Sequence, residues 1–105
     1  MAVSQAILTD LRHRLTELYG PRFERLILFG SQARGDAEEG SDVDVLVVLN
    51  GEVRPGAEIR RTGGIVAELS LDNDLVISCA FVSSQRFMTE KSPFLLNVQR
   101  EGIAL

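Results

Sequence analysis

The sequence predicts an α/β domain, because short apolar runs with strand character alternate with segments that carry apolar residues at helical spacing. The predicted strands cover residues 25–29, 43–49 and 75–82. The predicted helices cover residues 4–19, 57–71 and 93–101. A chain of 105 residues can bury one core but hardly a second lobe, so residues 1–105 are expected to form a single domain.

The first helix and the first strand have clear boundaries. Ser4 is placed to cap a helix whose core-facing stripe is Ile7, Leu8, Leu11, Leu15 and Leu18. Gly20 and Pro21 are expected to end it. The apolar run at residues 25–29 then predicts a buried strand that stops at Gly30.

The turn after this strand has the features of a phosphate-binding site. Gly30 lacks a Cβ, so the backbone there can approach a ligand closely. Ser31 is predicted to cap a short helix that opens at Gln32, and the N–H groups of that helix suit an anion such as a triphosphate. Gly35 is expected to end the helix in the left-handed conformation.

Two carboxylates follow at metal-ligand spacing. Asp42 and Asp44 stand at the front of the β-branched run at residues 43–49, and strand alternation puts both on one face. Carboxylates directed to one spot repel each other unless a cation lies between them, and hard oxygen ligands near phosphates favour Mg²⁺. Alone, the turn could be structural and the acids solvated; together they predict a metal–nucleotide site.

The second half of the chain supplies the remaining elements. Asn50 and Gly51 mark a turn, and the helix at residues 57–71 is expected to bury Ile59, Ile65, Val66 and Leu69. The strand at residues 75–82 contains Cys79, which we interpret as a core residue rather than a nucleophile. Ser83 or Ser84 is expected to cap a short helical turn, and Ser92 with Pro93 opens the last helix.

Two motifs carry a family resemblance: Gly-Ser-x-Ala-Arg-Gly at residues 30–35 and Ser-Asp-x-Asp at residues 41–44. The chain resembles the nucleotidyltransferase superfamily that includes DNA polymerase β, and most closely its minimal members, short bacterial proteins often encoded beside a HEPN-domain partner. The resemblance covers nearly the whole chain. It implies a small, twisted, mixed sheet of three to four strands with helices mainly on one face.

The resemblance also implies roles for the motif residues. Gly30 and Ser31 would hold the phosphates of an NTP, and Ser41 of the second motif joins them as a nucleotide-binding candidate. Asp42 and Asp44 would bind catalytic Mg²⁺. Arg34 could neutralise charge on the triphosphate or form an ion pair with Asp36, Glu38 or Glu39, and both readings stay open.

The third carboxylate departs from the family pattern. Relatives that catalyse well generally carry an acid on a later strand, and residues 75–82 contain none. Asp74, directly before that strand, is the nearest catalytic candidate; the alternative is a solvated loop residue. Without this acid, deprotonation of the acceptor hydroxyl would suffer more than nucleotide binding.

These features predict an enzyme that transfers a nucleoside monophosphate, AMP from ATP, to a hydroxyl on a partner protein. Resemblance suggests a HEPN ribonuclease toxin as the partner and this chain as its antitoxin. One alternative is a catalytically weak or inactive antitoxin that acts by direct binding. Another is a small-molecule nucleotidyltransferase that works as a homodimer.

Composition and charge limit the partners and the cellular location that the sequence allows. The formal net charge of −4 argues against an extended nucleic-acid surface, which needs a basic face. No apolar run approaches the roughly 18 residues of a membrane span, and the N-terminus lacks the apolar core of a signal peptide. A single cysteine forms no internal disulfide, so a cytoplasmic location is expected.

Overall fold

The computed structural model describes residues 3–38, 40 and 42–105. The strands are β1 (Phe23–Phe29), β2 (Val43–Leu49), β3 (Ile77–Ser83) and β4 (Ile103–Ala104). The helices are α1 (Gln5–Tyr19), α2 (Ser31–Arg34), α3 (Pro55–Asp72), α4 (Ser84–Thr89) and α5 (Pro93–Glu101), with a 3₁₀ turn at Gly20–Arg22. Within the described residues, none of the helices combines the length and apolar character needed to cross a membrane. The expected α/β class is confirmed.

The four strands form one mixed sheet in the order β3-β2-β1-β4. β1 runs antiparallel to β2 and to β4, whereas β2 and β3 are parallel. A parallel pair needs a crossover connection, and α3 supplies it. β4 was not predicted, because two exposed residues are too few to show strand alternation; it pairs with Ile27 and Leu28 of β1.

The two faces of the sheet are covered differently. Val43, Val45, Val47 and Leu49 of β2 join α1 and α3 in the larger core. The other face carries Leu46 and Val48, which pack with α4 and α5 residues such as Phe87, Leu95 and Val98. The two long helices therefore share one face, as expected, and two short helices cover part of the other. By strand alternation Asp44 belongs to this second face, where helical cover is smaller.

Each long helix exposes one residue that was predicted to face the core, and Tyr19, Glu58 and Thr62 are buried without having been predicted. The Ser4 hydroxyl accepts a hydrogen bond from the Ile7 N–H and caps α1 as expected, but Leu18 is 41% exposed. In α3, Ile59 is 56% exposed, and Glu58 is buried in its place. Glu58 tolerates burial because Tyr19 donates a hydrogen bond of 2.9 Å to its carboxylate and two arginine side chains lie nearby.

Candidate active site

Gly30 makes the turn that ends β1. Its backbone has φ 74° and ψ −157°, a region that is essentially limited to glycine. Its carbonyl accepts hydrogen bonds from the N–H groups of Ala33 and Arg34, each at 3.1 Å. Gly30 is thus the N-cap of α2, and the prediction that Ser31 caps this helix is wrong. Ser31 is already the first helical residue, because the chain leaves the extended conformation at the glycine.

The far end of α2 follows the sequence expectation. Gly35 has φ 81° and ψ 11°, and its N–H donates to the Ser31 carbonyl at 3.0 Å. A glycine in the left-handed region closes the helix after one turn. The segment from Gly30 to Gly35 is therefore a single helical turn bounded by two glycines. Ser31 begins this turn and is half-buried beside the end of β1.

Asp44 lies against this turn. In the antiparallel ladder it pairs with Phe29, the residue before Gly30. A Cβ built on Gly30 would lie 2.6 Å from Oδ2 of Asp44, closer than nonbonded atoms pack. The carboxylate of the predicted metal strand therefore occupies space that any other residue at position 30 would fill.

The surroundings of Asp44 disfavour the ionised form of its carboxyl group. Burial raises the pKa of its carboxyl group, and the negative charge of Asp42 raises it further. Asp42 is exposed and Asp44 is half-buried. Neither carboxylate has a hydrogen-bond or ion-pair partner among residues 3–38, 40 and 42–105. Two unpartnered acids, one of them partly desolvated, create a demand for a cation at this point.

The donor set fits Mg²⁺ that arrives with phosphates. Within the described part of the chain no group of three or more His, Cys, Asp or Glu side chains could hold a metal ion. Mg²⁺ is usually bound through one or two carboxylates, with substrate phosphates and water as the other ligands. Asp42 and Asp44 would supply the protein share of such a set.

Ser78 occupies the position beside Asp44 on the next strand. The parallel ladder pairs Asp44 with Ser78 directly, and Ser78 is exposed. A third acid at this point of the sheet would therefore stand at position 78, and the chain has a hydroxyl there.

Asp74 is the left-handed residue that ends α3. It is exposed and has φ 52°, and the Leu75 N–H donates to the Ser70 carbonyl at 3.0 Å. This is the hydrogen bond of a Schellman-type helix end, with Asp74 as the left-handed residue after α3. Together with the lack of a three-acid group in the described residues, this means that the structure does not bring Asp74 into one cluster with Asp42 and Asp44.

Arg34 is held by acids on both sides. Its Nε lies 3.2 Å from Asp36 and its Nη1 lies 3.5 Å from Glu101 at the end of α5. The pair with Asp36 is one of the two readings that the sequence left open. Glu101 was missed, because only the tertiary fold brings the end of α5 to α2. Ser41 and Glu39, named as candidate contacts, lie outside the described residues.

Comparison with known proteins identifies the family. The sequence profile of the nucleotidyltransferase domain matches residues 8–95. The chain belongs to this family. It is 32% identical over 97 residues to a provisionally named protein adenylyltransferase of Methanocaldococcus jannaschii, covering 92% of this chain and 93% of the relative. A second such protein of that organism is 37% identical over 93 residues, covering 87% and 86%. The chain is therefore a nucleotidyltransferase enzyme.

Solved structures share the fold. A toxin–antitoxin crystal structure with AMP-PNP superposes with a TM-score of 0.66 at 15% identity, covering 97% of this chain and 72% of the other. A mutant of the MntA toxin–antitoxin complex superposes with a TM-score of 0.62 at 18% identity, covering 98% and 72%. A chain from Shewanella oneidensis does so with 0.57 at 16% identity, covering 98% and 71%. These likenesses confirm the nucleotidyltransferase fold.

Proposed function

We propose that this nucleotidyltransferase transfers AMP from Mg·ATP to a hydroxyl group of a partner protein, and that the partner is a HEPN toxin that the transfer neutralises. The observation that carries the proposal is the packing of Asp44 against Gly30, which joins the metal-binding strand to the phosphate-binding turn. The names of the relatives support a protein acceptor. The toxin–antitoxin neighbours, one with AMP-PNP, support the partner class and the nucleotide.

Each motif residue has a role in this proposal. The backbone at Gly30 and the Ser31 hydroxyl hold the triphosphate, and Arg34 and Ser41 complete the proposed nucleotide contacts. Asp42 and Asp44 hold Mg²⁺, which stabilises negative charge on the phosphates when it is bound. The acceptor oxygen attacks the α-phosphorus, the bond to the pyrophosphate breaks, and the acceptor proton is released to water.

The chain contributes little to activation of the acceptor. Ser78 stands where a third acid would lie beside Asp44, and Asp74 is a helix-end residue. His13, the sole histidine, lies on α1 and pairs with Glu17 at 3.1 Å. We therefore propose slow transfer that depends on how the partner presents its hydroxyl. The same observation at Ser78 supports a second candidate, an antitoxin that acts by direct binding alone.

Transfer of label from α-labelled ATP to a purified HEPN partner tests the proposal. Wild-type protein should label the partner in the presence of Mg²⁺, and both Asp42→Asn and Asp44→Asn should abolish the labelling. His13→Ala is the matched control, since this exposed side chain lies on the helix that packs against the opposite face of the sheet. Neutralisation of the toxin by both asparagine variants, without label, would support direct binding instead.

A further inference from the structure

We propose that Ser78 is a site of self-adenylylation, at which the chain transfers AMP from Mg·ATP to its own hydroxyl when no partner is present. This inference rests on the proposed transfer chemistry. Ser78 would then be an acceptor within the chain itself, and its modification would limit the activity of the enzyme.

The order of strands places Ser78 on the acceptor side of the site. β2 lies between β1 and β3 in the sheet, so Gly30 and Ser31 at the end of β1 stand on one side of Asp44. Ser78 stands on the other side, as the direct ladder partner of Asp44. Neighbouring strands are about 4.8 Å apart, which places the three positions in a short row.

This row matches the geometry of the displacement. In phosphoryl transfer the attacking and leaving oxygens lie roughly in line on opposite sides of the phosphorus. With the β- and γ-phosphates at Gly30 and Ser31, the leaving pyrophosphate lies toward β1. An α-phosphate above Asp44 then has its open side toward β3, where Ser78 offers an oxygen.

The Ser78 side chain is available for this role. Strand alternation places it on the same face as Asp44, with Ala80 and Val82 following on that face of β3. The residue is exposed, and within the described part of the chain its hydroxyl has no hydrogen-bond partner. The other serines of this region serve the fold: Ser70 accepts a hydrogen bond from the Ile77 N–H at 3.3 Å, and Ser83 caps α4.

The reaction balances without a further reactant. The Ser78 oxygen bonds to the α-phosphorus of ATP, the bond between that phosphorus and the pyrophosphate oxygen breaks, and the hydroxyl proton is released to water. The product is a phosphodiester between Ser78 and adenosine. It would lie directly beside Asp44, where the α-phosphate of the next nucleotide has to bind, so the modified chain should no longer bind Mg·ATP well.

Mass spectrometry of the full chain tests the inference. Wild-type protein incubated with ATP and Mg²⁺ alone should gain one adenylate, and a fraction of the protein purified from cells should already carry it. Tryptic cleavage after Arg61 and Arg86 releases residues 62–86, which hold Ser70, Ser78, Ser83 and Ser84. Fragmentation should place the adenylate on Ser78. Ser78→Ala should abolish the gain, and Ser84→Ala, in the same peptide at the far end of β3, should keep it.

Calorimetric titration with Mg·AMP-PNP gives a readout that does not depend on turnover. Adenylylated protein should bind the analogue at least tenfold more weakly than unmodified protein. An adenylate on another residue, a gain that persists in Ser78→Ala, or equal affinities would overturn the inference. Labelling of a HEPN partner without any self-labelling would overturn it and leave the proposed function intact. If the wild-type protein labels neither itself nor the partner and does not bind Mg·AMP-PNP, the proposed function is overturned as well.

Discussion

Oδ2 of Asp44 lies 2.6 Å from the point at which a Cβ on Gly30 would stand. The glycine therefore serves two purposes: it adopts a backbone conformation closed to other residues, and it leaves room for the Asp44 carboxylate, the proposed metal ligand. This contact joins the proposed phosphate-binding turn to the strand that carries Asp44.

Gly30→Ala should lower stability and remove nucleotide binding. The unfavourable φ alone costs about 1–3 kcal/mol, and the new methyl group must also displace the Asp44 carboxylate. Gly51→Ala is the matched control, because Gly51 has φ 85° and nothing lies within 4 Å of its Cβ position. Chemical denaturation should show a larger loss for Gly30→Ala than for Gly51→Ala. Equal losses would mean that the contact with Asp44 carries no energy.

Ser31→Ala should separate binding from folding. The Ser31 side chain makes no capping hydrogen bond in α2, so its removal should change the free energy of unfolding by less than about 0.5 kcal/mol. Mg·ATP affinity should fall, because a hydroxyl donor to phosphate is lost. Ser4→Ala, which removes a true N-cap of α1, should cost about 1 kcal/mol and leave affinity unchanged. Wild-type affinity in Ser31→Ala would show that the turn is only structural.

Asp44→Asn should stabilise the metal-free protein at neutral pH. Burial and Asp42 raise the pKa of Asp44 in the folded state, so the folded protein binds that proton more tightly than the unfolded chain does. Above the raised pKa the wild type carries a penalty that the asparagine lacks. The penalty fades as the pH falls through the raised pKa toward the unfolded value of about 3.9.

Thermal melts in EDTA from pH 7 to pH 3 measure this difference. The melting temperature of Asp44→Asn should exceed that of the wild type at pH 7, and the gap should close in acid. Asp42→Asn should show a smaller gap, because it removes only the second cause of the shift. A gap that widens in acid would contradict the assigned direction.

Ser78→Asp should complete a three-carboxylate site. Position 78 faces Asp44 across the ladder, so a new acid there should tighten Mg²⁺ binding and raise the rate of transfer to a partner. Without metal the same change should destabilise the fold, because like charges directly opposite each other repel. Val76→Asp, two residues earlier and just before β3 begins, is the positional control and should give a smaller gain. Equal rates in wild type and Ser78→Asp would show that activation of the acceptor does not limit transfer.

Asp74 substitutions distinguish a helix end from a catalytic ligand. Asp74→Gly should be neutral or stabilising and Asp74→Ala destabilising by about 1 kcal/mol, because the residue holds a φ of 52°. Asp74→Asn should keep both stability and transfer. A large loss of transfer in Asp74→Asn, with Mg·ATP affinity unchanged, would instead establish the catalytic role that its place in the sequence suggested.

Much of this fold could be predicted from local pattern. The strands at residues 25–29 and 43–49, the cap at Ser4 and the helix end at Gly35 depend on neighbouring residues alone, and they lie where expected. The burial of Glu58 on the inward side of α3 could not be predicted, because it depends on Tyr19 and Arg22, which are distant in sequence, as well as on the neighbouring Arg61.

The candidate site likewise has features that the local sequence predicts and features that depend on tertiary structure. Motif spacing predicts that Asp42, Asp44 and the Gly30 turn lie together. Strand alternation puts the two acids on one face, and the short connection between β1 and β2 keeps that face close to the turn. The register between β2 and β3, which puts Ser78 rather than Val76 beside Asp44, depends on the length and packing of α3. The partner of Arg34 on α5 likewise depends on tertiary structure, so neither could be read from the spacing of residues.

Calorimetric titration of the metal-free protein with AMP-PNP, with and without Mg²⁺, tests the proposed site most directly. Wild-type protein should bind one analogue molecule only when Mg²⁺ is present. Asp42→Asn and Asp44→Asn should each weaken that binding at least tenfold, and His13→Ala should not. Binding of equal strength in EDTA, or wild-type affinity in both asparagine variants, would contradict the assignment of Asp42 and Asp44 as the ligands of a nucleotide-bound metal.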